Sequence, residues 1–167
     1  MDKTLFEHKR KSYIEIGEIF FWTATINNWN QLLKDDHFKD VIIGSLRTLS
    51  ERGKVDVFAF VIMPNHLHLI SRTSELNGKE IAQGSFLKYT AHAFKKMLKD
   101  NKPELEKYAV SAKNKKYEFW KRDSLAVHLY NKEVMLQKLD YIHANPVAEH
   151  WQLVTDPCNY KYSTAKY

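Results

Sequence analysis

The chain has 167 residues, 44% apolar and 28% charged, which fits one globular domain over 1–167 with a core of its own. Its single cysteine, Cys158, excludes a disulfide framework and a cysteine-based zinc site and suits a reducing cytoplasm. The net charge of +6 favours a polyanionic partner.

Residues 1–12 are polar and read as a frayed or loosely docked start. Met1-Asp2-Lys3-Thr4-Leu5 lacks the apolar run of a signal peptide, and nowhere do 18 apolar residues run uninterrupted. Neither secretion nor a membrane span is expected. Ile14 to Ile26 contains the aromatic and β-branched stretch Glu18–Ile26, a first strand, closed by the turn formers Asn27-Asn28-Trp29-Asn30. Phe38, Val41, Ile42, Ser45, Leu46 and Leu49 then recur at helical spacing. Asp35 or Asp36 can cap the start of that helix, and Gly53 stands past its end.

Val55–Ile62 is a second strand and His66–Arg72 a third, joined as a hairpin by Met63-Pro64-Asn65. After a loop at 74–78, Ile81 leads into a second helix with Phe86, Tyr89, Thr90, Ala93, Phe94 and Met97 on one face. Lys88, Lys95, Lys96 and Lys99 lie on or beside its outer face. Asp100–Lys116 reads as a flexible, lysine-rich loop, Ser124–Tyr130 as a fourth strand, and 132–145 as a third helix stopped by Pro146. The order β-α-β-β-α-β-α predicts an α+β fold. Its antiparallel sheet is ferredoxin-like, with the histidine strand inside it and an added C-terminal helix. Positive charge is concentrated: 12 Lys and Arg stand against 5 Asp and Glu between Lys79 and Arg122. That is the distribution of a nucleic-acid footprint, or of a solvated helix and loop.

Chemistry enters at Met63-Pro64-Asn65-His66-Leu67-His68-Leu69-Ile70. On a strand, His66 and His68 share one face, a preformed half of a metal site, although a polar strand face gives the same pattern. On the third helix Tyr141 and Asn145 are one turn apart. If that helix packs across the sheet, the two imidazoles and the Asn145 amide supply three neutral donors beside a phenol. Such a set holds Mg²⁺ or Mn²⁺ weakly and leaves room for phosphate oxygens.

The pair of motifs, Met63–Ile70 followed by Asp140-Tyr141-Ile142-His143-Ala144-Asn145-Pro146-Val147, resembles the single-tyrosine HUH transposases of insertion sequences. Within them it is most similar to the REP-associated tyrosine transposase branch, since asparagine stands at 145 where the other branch has glutamine. The resemblance extends to the aromatic first strand, to Phe119-Trp120 and to the tail 160–164. It implies an HUH endonuclease fold, with His66, His68 and Asn145 as ligands of Mg²⁺ or Mn²⁺ and Tyr141 as nucleophile on the C-terminal helix. The implied activity is cleavage and rejoining of single-stranded DNA through a 5′-phosphotyrosine, as in DNA transposition. The implied partner is single-stranded DNA with hairpin structure, bound by a homodimer or a monomer. The lysine-rich stretch 100–116 is longer than that pattern and suggests a different DNA target.

Arg72, Lys88, Lys95, Lys96 and Lys138 are candidates for phosphate contacts. Phe119 and Trp120 either stack on unpaired bases or belong to the core. Tyr89 falls on the apolar face of its helix and reads as core. His128 reads as structural, and His143 as a packing or DNA-contacting residue. Two rival readings are a replication or conjugation nickase, usually accompanied by further domains, and a ferredoxin-like nucleic-acid-binding module without catalysis. A phosphoesterase with two His-x-Thr/Ser motifs fits poorly, because only one His-x-His occurs.

Overall fold

The computed structural model describes residues 13–167, so the reading of 1–12 lies outside the described residues. The chain runs β1 (Ile19–Thr25), α1 (Asp36–Glu51), β2 (Val55–Ile62), β3 (His66–Thr73), α2 (Ala82–Met97) and α3 (Lys102–Glu106). It continues through β4 (Ala109–Ala112), β5 (Lys115–Tyr117), β6 (Leu125–His128) and α4 (Lys132–Ala144), with short 3₁₀ turns between and after them.

Four strands form one antiparallel sheet in the order β2-β3-β1-β6, the ferredoxin-like order, with the histidine strand inside. The alternation of side chains along each strand gives the sheet two different faces. Trp22 and Ala24 of β1 and Leu67 and Leu69 of β3 face α1 and α2, and with Ile42, Phe86 and Phe94 they make the larger core. Phe21, Ala59, Val61 and Ile70 face the other way. They are covered by Val134, Met135, Leu139 and Ile142 of α4.

α1 starts where its sequence says it should: the Asp35 carboxylate accepts the His37 backbone N–H at 2.9 Å. Gly53, at φ +67°, takes the left-handed turn after it that a side chain would oppose. The β2–β3 turn is buried rather than exposed. Its Pro64 carbonyl accepts the Leu33 N–H at 2.9 Å and its Asn65 carbonyl the Ile26 N–H at 2.8 Å, so these two buried carbonyls find donors. β2 lies at the sheet edge, and the C-terminal tail covers it. The Ile62 N–H donates to the Tyr162 carbonyl at 2.9 Å, and the Thr164 N–H to the Phe60 carbonyl at 3.0 Å. A bulge at Phe58 interrupts its pairing with β3 and leaves that ring exposed.

Three sequence expectations need correcting. Residues 100–116 are ordered, not a loose loop. Asn101 caps α3, Pro103 sits in its first turn where a missing N–H does no harm, and β4 and β5 close a hairpin. Buried Leu105 and Tyr108 anchor this segment, with Tyr108 stacked on Phe119 at 4.7 Å. Two apolar anchors in a lysine-rich run do not show as periodicity. Tyr89 is 60% exposed, because α2 meets the sheet along its Ala82, Phe86, Thr90 and Phe94 row and leaves Tyr89 and Met97 outside the contact. Strands one and four are shorter than expected, starting at Ile19 and ending at His128.

α4 is held to the sheet through few side chains, of which Ile142 alone is fully buried. Ile142→Ala should destabilise the protein by about 2–5 kcal/mol in denaturant titration. The loss falls on the helix that carries Tyr141.

Candidate metal and nucleophile site

The outward face of β3 presents His66 and His68 toward α4, with Thr25 and Thr23 of β1 directly opposite them. α4 crosses this face so that its last two turns stand over the imidazoles. The Tyr141 ring lies 5.2 Å from the His68 ring, centre to centre, and the His66 and His68 rings are 4.7 Å apart. Asn145 follows one turn after Tyr141 and is buried beside them. It keeps helical geometry (φ −55°, ψ −45°) although a proline comes next, so its side chain stays in line with Tyr141. Together these residues line a cleft of about 490 Å³ with Trp29, Asn65, His150 and Trp151. A single chain therefore brings the tyrosine to its own histidines.

Each imidazole is oriented by a neighbour. The Asn65 amide nitrogen donates to the Trp29 carbonyl at 3.4 Å, which turns its oxygen toward His66 Nδ1 at 2.7 Å. That oxygen only accepts, so His66 carries its proton on Nδ1 and its Nε2 offers a lone pair. His68 Nδ1 shares a 2.8 Å hydrogen bond with Thr23 Oγ1, and its Nε2 is buried with no partner in the protein. A buried ring nitrogen left without a partner costs about 1–3 kcal/mol, which a ligand on Nε2 would relieve. Outer hydrogen bonds of this kind orient metal-binding histidines. Among the described residues no group of three or more His, Cys, Asp and Glu is placed to hold a metal. The neutral donors that line the cleft include the two imidazoles and the Asn145 amide.

Burial, reinforced by His150, pushes His66 down to about 4. Burial, then His66 and Lys138, pushes His68 down to about 3. Both rings are neutral at physiological pH, the state that binds metal. A group whose folded pKa is depressed favours the fold fully above its unfolded value and loses that advantage as pH falls. The metal-free protein should therefore be most stable above pH 6.5 and weaken progressively toward pH 4. By pH 5 each histidine should remove about 2 kcal/mol, measured by denaturant titration across pH.

The basic residues divide. Lys138 stands in the site, its ammonium 5.7 Å from the Tyr141 ring and 4.8 Å from the Phe21 ring. Arg72 is on the same strand as the histidines but near its other end, with its guanidinium on Asp56 at 2.9 and 3.0 Å. Lys88, Lys95 and Lys96 belong to α2, across the sheet from Tyr141. There Lys88 pairs with Glu80, and Lys95 lies 5.7 Å from the Tyr117 ring. The structure thus gathers Tyr141, His66, His68, Asn145 and Lys138, and leaves Arg72, Lys88, Lys95 and Lys96 outside the cleft. Phe119 and Trp120 are core, the Trp120 indole N–H donating to Thr90 Oγ1 at 2.9 Å. His128 faces the α1–α2 side against Phe20, and His143 bonds Thr164 Oγ1 at 3.1 Å.

Sequence reasoning missed Thr23, Asn65 and Trp151 as parts of this site. Thr23 is found only through the β1–β3 register. Asn65 was legible only as a turn residue, though its position next to His66 was in plain view. Trp151 lies 6.0 Å from the His66 ring because the chain doubles back after Pro146.

No protein-family model matches the chain, and no curated protein matches it in sequence. Among solved structures, the chain is similar to a REP-associated tyrosine transposase bound to a REP hairpin. The TM-score is 0.62 at 22% identity, covering 96% of this chain and 82% of that one. At that identity the likeness speaks to the fold: the α+β arrangement with an antiparallel sheet is shared. Among the described residues, no helix is long and apolar enough to cross a membrane.

Proposed function

We propose that this protein is a DNA transposase that cleaves and rejoins single-stranded DNA, with Tyr141 as the nucleophile. The observation that carries the reading is the convergence, in one cleft, of a half-exposed tyrosine with two neutral imidazoles, one of which has an unpartnered buried nitrogen. The fold shared with a hairpin-bound transposase supports it. His66, His68 and Asn145 would hold Mg²⁺ or Mn²⁺, which when bound supplies Lewis-acid polarisation of the phosphoryl oxygens.

The protein's own residues do the rest. Tyr141 is 51% exposed, so its hydroxyl reaches a phosphate laid along the cleft. Its oxygen forms a bond to phosphorus as the bond from phosphorus to the 3′-oxygen breaks. The phenol proton passes to solvent, and the departing 3′-oxygen takes one up. Lys138 places positive charge beside the ring, where negative charge develops on the phenolate. Rejoining reverses the exchange: a second 3′-hydroxyl attacks the 5′-phosphotyrosine and Tyr141 regains its proton. One diester replaces another, so no nucleotide triphosphate is needed. The partner is single-stranded DNA with hairpin structure.

The test is incubation with labelled single-stranded DNA from the flanks of the gene, with and without Mg²⁺ or Mn²⁺, followed by a denaturing gel. A covalent protein–DNA band that requires metal is the expected result. Binding without any adduct would favour a nucleic-acid-binding module instead.

A further inference from the structure

Trp29 lines the cleft but has no part in the chemistry above. It is a large aromatic residue, 58% exposed, at the mouth of the cleft that holds Tyr141 and both histidines. Its backbone is in the left-handed region at φ +56°, directly after Asn28 at φ +55°. Bulky side chains avoid that region, so two such residues in succession persist only where their surroundings fix them. Here they do. The Trp29 N–H donates to the Ile26 carbonyl at 3.0 Å, the Asn27 N–H to the Phe119 carbonyl at 2.8 Å, and the Trp29 carbonyl accepts the Asn65 amide. The same Asn65 side chain orients His66, so the tryptophan and a candidate ligand share one support.

The ring does not serve the core. Of the four tryptophans, Trp22 and Trp120 are buried and Trp151 is half-buried against His66, while Trp29 stands outward. One cation is provided for it: the Lys121 ammonium sits 5.4 Å from the ring centre. Lys121 is held in place by its own N–H, which donates to the Thr25 carbonyl at 2.7 Å. A fixed, exposed indole flanked by a lysine is the pattern that receives an unpaired base and its phosphate. Every nucleobase has a face to stack, and the ammonium meets the backbone charge.

We propose that Trp29, with Lys121 beside its ring, is a stacking platform for an unpaired nucleobase adjoining the phosphate at Tyr141. The platform thereby positions the strand for cleavage. This rests on the single-stranded DNA reading above. Trp29 acts through the base it holds and leaves the reacting atoms to other residues. Its loss should therefore weaken binding and blur the cleavage position without removing Tyr141 chemistry.

The experiment uses the full chain and a single-stranded oligonucleotide from the flank of its gene, with abasic sites introduced one position at a time. Binding is measured in a Tyr141→Phe background, and adduct formation with Tyr141 present. Trp29→Ala should bind the intact strand roughly 5- to 150-fold more weakly, and Trp29→Phe should recover most of that loss. One abasic position should weaken the Trp29 protein by a similar factor and leave Trp29→Ala unaffected. Indole fluorescence should be quenched on binding, and the quench should be lost in Trp29→Phe while binding remains. Lys121→Ala should lower the salt dependence of binding by about one phosphate contact.

Equal binding by Trp29→Ala, or a Trp29→Ala defect that adds to every abasic position alike, overturns the platform. If the metal-dependent adduct still forms in that case, the transposase reading stands without it. If the unaltered protein binds no oligonucleotide and forms no adduct, both fall together.

Discussion

Tyr141→Phe should abolish the covalent protein–DNA adduct, a loss of roughly 10⁴-fold or more, while leaving affinity for single-stranded DNA within a few-fold of the unaltered protein. The substitution removes one oxygen from a ring whose packing stays. The ring's neighbours are His68 at 5.2 Å, Phe21 at 6.0 Å and the Lys138 ammonium, and none of these contacts needs the hydroxyl. The fold should therefore be unchanged, as a thermal melt of both proteins would check. Tyr89→Phe is the control. Tyr89 is also an exposed helical tyrosine, but on α2, across the sheet from the histidines. An adduct that survives Tyr141→Phe and disappears in Tyr89→Phe would move the nucleophile to the other side of the sheet and refute the site described here.

The second large effect belongs to His68. His68→Leu should abolish metal-dependent cleavage, by well over about 100-fold, since even outer hydrogen-bond partners of metal ligands cost that much. The same substitution should stabilise the metal-free fold by about 1 kcal/mol. The imidazole Nε2 is buried without a partner, and an apolar side chain of similar size removes that unmet need. Thr23 Oγ1, its only hydrogen-bond partner, is half-buried and can turn to water. A histidine kept for structure would behave in the opposite way, losing stability when replaced. Titration of Mn²⁺ by calorimetry, alongside denaturant melts of both proteins, separates the cases. Loss of stability with metal binding retained would rule out His68 as a ligand.

Much of this was legible in the sequence because it rests on local pattern. Alternation put His66 and His68 on one strand face, helical spacing put Tyr141 one turn from Asn145, and Asp35 and Gly53 marked the ends of α1. The order of elements named a ferredoxin-like sheet with the histidine strand inside. Each element depends on residues within a few positions of one another, and the sheet follows from their order along the chain.

Tertiary structure decided what pairs with what. The β1–β3 register sets Thr23 against His68. The angle at which α4 crosses the sheet brings Tyr141 over that histidine, and burial under the helix makes both imidazoles neutral. The angle of α2 turned Tyr89 outward, and the stacking of Tyr108 on Phe119 ordered a lysine-rich segment that looked loose. The basic residues show the limit most plainly. Charge along the chain marks a candidate nucleic-acid surface but carries no direction, so only the fold separated Lys138, beside the tyrosine, from the lysines of α2 across the sheet.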